Sequence, residues 1–224
     1  MKRQLLVGAC LSAGFAATGC GGGGSKVSSA SLRGRLLPVA SAPGFGLQRT
    51  LDWSDPVNLV GEGLSLPQIT HPSEAIKEFK DAHLRGGAGE VLANGSGFNA
   101  TEVVVGVARF NGAADANRVR DWMHRQDLHQ PCFSQCIFAP GAVTVPEIPS
   151  LGFVVQESHT PPLPPGAPRG ARVGPAPANY LAEFTIGPYL YWAVLHGDAS
   201  AKARFEQGVK LYYAHAKQAS LTRA

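Results

Sequence analysis

The sequence predicts an α+β fold: an antiparallel sheet with about three packed helices, arranged as two hairpin-plus-helix halves. Two stretches carry that prediction. Residues 100–110 read ATEVVVGVARF, a β-branched run that fits a pleated, buried surface. Residues 113–125 follow, with Ala116, Val119, Trp122 and Met123 at helical spacing. Near the C-terminus the order repeats. Residues 180–186 and 189–196 read as strands joined at Gly187-Pro188, and residues 199–217 read as a helix capped by Asp198. Phe205, Val209, Tyr212, Tyr213 and Ala216 mark the buried face of that helix. Hairpins with helices packed on their sheet form an α+β sandwich.

The chain opens with Lys2 and Arg3, then small and apolar residues from Leu5 to Ala17. That is a basic n-region followed by an apolar h-region of signal-peptide length, too short for the roughly 20 apolar residues of a membrane-spanning helix. Ala17-Thr18-Gly19-Cys20 follows. It resembles the bacterial lipobox, in which small residues precede a cysteine that is lipidated as the peptide before it is removed. The resemblance implies a signal peptide over 1–19, lipid on Cys20 and a membrane as partner. Ala17 stands where the lipobox usually has Leu, and Ala17 and Gly19 also suit ordinary signal-peptidase cleavage. Gly21 to Gly24 and Ser25 favour the lipoprotein, since they make the flexible tether, expected over 20–34, that a membrane-held domain needs.

Residues 35–224 are expected to form a single extracytoplasmic domain. Residues 35–70 mix Leu51, Trp53, Leu59 and Val60 with Pro, Gly and Asp, and read as irregular structure with one short strand. A helix is expected over 73–85, stopped by Gly86-Gly87. Residues 90–93 read as a strand, Asn94–Gly97 as a turn, and 151–156 as a further strand. Residues 160–178 contain seven prolines and form a loop that no regular element can use.

Composition excludes some function classes. The formal charge is +4, and Lys2 and Arg3 would leave with the signal. Charged residues are 16% of the chain, with no basic stripe of the kind that binds nucleic acid. The four cysteines are Cys10, within the signal, Cys20, Cys132 and Cys136. An oxidising compartment makes a Cys132–Cys136 disulfide the expected use of the last pair. The alternative, zinc held by His124, His129, Cys132 and Cys136, has suitable ligand types but no recognised spacing.

No catalytic constellation is legible, and no cofactor or metal is expected. Asn94-Gly95-Ser96-Gly97 lacks the frame of a nucleophile elbow. Glu74 and Glu78 are expected on a solvated helix face, and His196 is expected to be structural. Residues 108–116, the cysteines, Val145-Pro146-Glu147-Ile148-Pro149 and a final strand and helix resemble the layout of uncharacterised actinobacterial envelope lipoproteins. The resemblance covers roughly residues 90–217 and implies location and fold. The function expected is therefore membrane-anchored binding of a ligand, lipid or protein; a cell-envelope hydrolase is the alternative.

Overall fold

The computed structural model describes residues 27–62, 71–94, 101–129, 136–137, 143–158 and 177–222. They form one antiparallel sheet between two helical layers. The strands are β1 (Gly46–Trp53), β2 (Gly86–Asn94), β3 (Thr101–Arg109), β4 (Cys136–Ile137), β5 (Gly152–Ser158), β6 (Pro177–Ile186) and β7 (Tyr189–Asp198). The helices are α1 (Ser29–Arg33), α2 (Pro56–Gly61), α3 (Pro72–Asp81), α4 (Ala113–His129) and α5 (Lys202–Leu221). The sheet order is β1-β2-β3-β7-β6-β5-β4.

The α+β prediction holds, including its two hairpin-plus-helix halves. β2–β3 leads into α4, β6–β7 leads into α5, and β3 pairs with β7 at the centre, Val105 opposite Ala193. The halves differ in one respect. Ala116, Val119 and Met123 of α4 pack with Val104, Trp192 and Val194 on one face of the sheet. Phe205, Val209 and Tyr212 of α5 pack with Val105, Ala193 and Leu195 on the other. A two-fold axis relating β3 to β7 would put both helices on one face, so the echo lies in the strands alone.

Covering both faces explains why the central strands are apolar on both sides. Adjacent residues of a strand point to opposite faces, and Val104, Val105, Val194 and Leu195 are all buried. The α4 face also contains an aromatic stack. Trp53 and Trp192 lie with ring centroids 5.4 Å apart. Their rings fill the space that side chains at Gly89 and Gly106 would occupy. A Cβ at Gly106 would lie 2.1 Å from Trp192 Cε2, and one at Gly89 would lie 2.5 Å from Trp53 Cη2.

On the α5 face, the Tyr212 hydroxyl donates to the Gly106 carbonyl at 2.9 Å. Arg35, 4% exposed, ties the chain after α1 to the end of α5. Its guanidinium lies 3.8 Å from the Tyr189 ring centre and donates to Ser220 Oγ at 3.1 Å. Cation–π contact and hydrogen bonding together keep this buried cation from standing without a partner.

Several elements differ from expectation. Ser29–Arg33, expected within the tether, is helical: Ser28 Oγ accepts from the Ser31 backbone N–H, and Leu32 is fully buried. β1 is a full eight-residue strand; only Leu51 and Trp53 are buried in it, which leaves little period-2 signal. The helix expected over 73–85 ends at Asp81. His83, at φ 56°, takes the left-handed position, while the His83 and Leu84 N–H groups bond to Lys80 and Phe79 carbonyls. That is a Schellman closure, so Gly86-Gly87 is free to begin β2. Asp198 ends β7; a 3₁₀ turn over Ala199–Ala201 intervenes, and the N-cap of α5 is Ala201.

Among the described residues no helix is long and apolar enough to cross a membrane. Residues 1–26, which contain the expected signal and Cys20, lie outside the described residues. So do Cys132, residues 95–100 and all of the Pro-rich stretch except Pro177 and Ala178, which open β6.

Candidate functional site

The α5 face contains an open cleft of about 490 Å³. It lies between α5 and the turn that precedes β1, over β2, β3 and β7. Phe205, Val209 and Tyr212 of α5 line one side, and Leu92, Thr101 and Val103 of β2 and β3 line the cleft beneath. The opposite wall is Leu37 and the turn from Ser41 to Phe45. The volume lies within the roughly 300–1,000 Å³ of small-molecule sites.

The cleft is apolar inside and polar only in a few places. Val103, Val105 and Leu195 form its floor, and Ser41, Thr101, Arg204 and Gln207 supply its polar side chains. Among the described residues no histidine, cysteine or acid lines it. Arg204 is exposed and forms no ion pair among the described residues. Two large apolar side chains lie exposed beside it: Leu211 on its α5 wall, 42% exposed, and Leu47, 49% exposed. Leu47 pairs with the cleft residue Leu92 across β1–β2.

The other face holds a second unusual feature. Asp127 of α4 and Glu183 of β6 are 1% and 0% exposed. Their carboxyls contact each other. Asp127 Oδ2 and both Glu183 oxygens receive no hydrogen bond from any described donor. Burial raises the Asp127 pKa to about 6. Burial, and next the Asp127 charge, push Glu183 well above the ordinary carboxyl range. His124, one helical turn before Asp127, places Nδ1 3.8 Å from Glu183 Oε2. Burial first, then the Arg120 charge, lower its pKa, so it is a poor cation for the pair at neutral pH. Gly152, opposite Glu183 on β5, leaves room for this approach: a Cβ there would lie 2.7 Å from both Glu183 Oε2 and His124 Nδ1.

Sequence reasoning missed both acids. Asp127 continues the buried stripe of α4 beyond 125, where the helix was expected to end. Glu183 shares a face with Leu181, a face that would be solvated if helices covered only one side of the sheet.

The expected candidates fall as follows. Cys136 opens β4, while Cys132 lies outside the described residues, so the expected disulfide does too. His196 Nδ1 lies 2.8 Å from Oδ1 of its cross-strand neighbour Asn179. Glu74 and Glu78 do more than face solvent. Glu74 accepts from Trp122 Nε1 at 3.3 Å and Glu78 from Arg118 at 2.9 Å, so they join α3 to α4. No group of three described His, Cys, Asp or Glu residues is placed to hold a metal ion.

No protein-family model and no curated protein matches the chain. Among solved structures, the fold is similar to the extracellular domain of PknH from Mycobacterium tuberculosis. The TM-score is 0.54 at 11% sequence identity, covering 88% of this chain and 98% of that one. At that identity the likeness is one of fold.

Proposed function

We propose that this is an exported, lipid-anchored domain that binds a long-chain amphiphile with an anionic head group in the cleft beneath α5. The observation that carries the reading is the apolar floor of Val103, Val105 and Leu195 with one cation, Arg204, that forms no ion pair among the described residues. An acyl chain laid on that floor would be removed from water, at about 0.8 kcal/mol per buried CH₂. Its carboxylate or phosphate would meet Arg204. That no acid or histidine stands among the described lining residues favours carriage or sensing over hydrolysis.

Export and anchoring rest on the sequence before Cys20, and the likeness in fold to an extracellular domain supports export. Cys20→Ala is expected to lose metabolic labelling with palmitate and to move from the detergent phase to the aqueous phase. A Cys20→Ala protein that is still labelled and still partitions into detergent contradicts the anchor.

Ligand binding is tested by fluorescence titration with fatty acids of graded length and with their methyl esters. Removing two carbons is expected to weaken binding roughly tenfold, if each CH₂ is fully buried. Arg204→Glu is expected to weaken the acids about two- to fivefold, the range of an exposed ion pair, and to leave the esters unchanged. Equal losses for acid and ester would remove Arg204 from the head-group role. No binding of either would remove the amphiphile itself.

A further inference from the structure

The geometry points to Asp127 and Glu183 as a proton-operated latch that holds the C-terminal half of α4 against β6 and tightens in acid. The inference is independent of the cleft, which lies on the other face of the sheet.

Two carboxyls in contact, both buried and with no described donor, cannot both be ionised at low cost; a proton between them supplies the missing donor. Among the described residues, the charged and titratable groups facing the pair are few. From α4 they are His124 and Arg120, and Arg120 is engaged elsewhere, donating to the Ser150 carbonyl and pairing with Asp121. From β5 the facing residue is Gly152, and from β7 the cross-strand neighbour of Glu183 is Trp192. Arg120 is the fixed cation among these; its charge lowers the Glu183 pKa, but by less than burial and Asp127 raise it. The pair therefore joins helix to strand as a hydrogen bond while it holds its proton and as a repelling contact once it does not.

The sign follows from the raised pKa values. The folded protein keeps protons that the unfolded chain releases near pH 4. The stabilisation is full below that and falls as pH rises through about 6, where Asp127 ionises, and through the raised range of Glu183. His124 acts in the opposite direction below its ordinary range, because its depressed pKa disfavours the folded state in acid. It is present in every variant below and cancels to first order from differences between them.

The test compares the full chain with Asp127→Asn/Glu183→Gln, which keeps the shape and removes both titrations. The melting temperature of the variant relative to wild type is expected to rise by roughly 5–10 °C between pH 5 and pH 8. Wild-type hydrogen exchange, corrected for intrinsic rates, is expected to speed up over 120–128 across the same range. If the variant does not fold, side-chain carboxyl ¹³C shifts of the wild type decide the matter: Glu183 is expected to titrate well above the ordinary carboxyl range. A difference in melting temperature that is flat or falls with pH overturns the latch, as does a Glu183 carboxyl that titrates near pH 4.

Discussion

A Gly208→Phe protein is expected to fold at least as stably as wild type and to bind cleft ligand at least about tenfold more weakly. Gly208 lines the cleft from α5, and a Cβ built on it meets nothing within 4 Å. A larger side chain therefore has room to enter the cleft without a clash at its Cβ. Glycine inside a helix costs about 0.8–1.0 kcal/mol relative to alanine, and aromatic residues recover part of that. Stability is thus expected to hold or rise by a few tenths of a kcal/mol while binding falls. Gly208→Ala is the control: it should stabilise by up to about 1 kcal/mol and leave affinity nearly intact. Thermal melting and ligand titration on the same samples separate the two effects. A Gly208→Phe protein that binds like wild type would falsify the placement of the ligand.

Gly106→Val is expected to show the largest loss of stability among single substitutions in the sheet, at least about 3 kcal/mol. The Cβ alone would overlap the Trp192 indole, at 2.1 Å from two ring carbons. That ring has nowhere to go, because Trp53 stacks on it at 5.4 Å. The nearby hydrogen bond from Tyr212 to the Gly106 carbonyl ties the same strand to α5, so a displaced β3 disturbs both faces. Denaturant unfolding measures the loss. Trp192→Leu added to Gly106→Val should return part of it, since the two residues share one space. If the double variant is no better than the sum of the singles, the clash is not the cause.

The central strands and the three longer helices were legible because their signals are local. A β-branched run such as residues 103–107 and an apolar stripe such as Phe205, Val209, Tyr212 and Ala216 report their structure without knowledge of their neighbours. β1 was not, because an edge strand buries too little to show a period. Neither functional feature could be read this way. The cleft is built from Leu37, Leu92, Val103 and Leu195, residues far apart in sequence that would equally suit a filled core. Whether they fill a core or leave a cleft depends on how α5 and the turn before β1 seat over them, which none of these residues encodes by itself. The Asp127–Glu183 pair is hidden for a related reason. Each acid reads as solvent-facing until helices are known to cover both sides of the sheet.

The most direct test of the amphiphile reading is methyl relaxation in the presence of a spin-labelled fatty acid, because adjacent residues on opposite faces of one strand provide an internal control. Val105 and Leu195 lie on the cleft floor, while Val104 and Val194 face α4. The account predicts that the methyl signals of Val103, Val105 and Leu195 broaden at substoichiometric label while those of Val104 and Val194 remain sharp. Equal broadening on both faces, or none at any of these methyls, contradicts it.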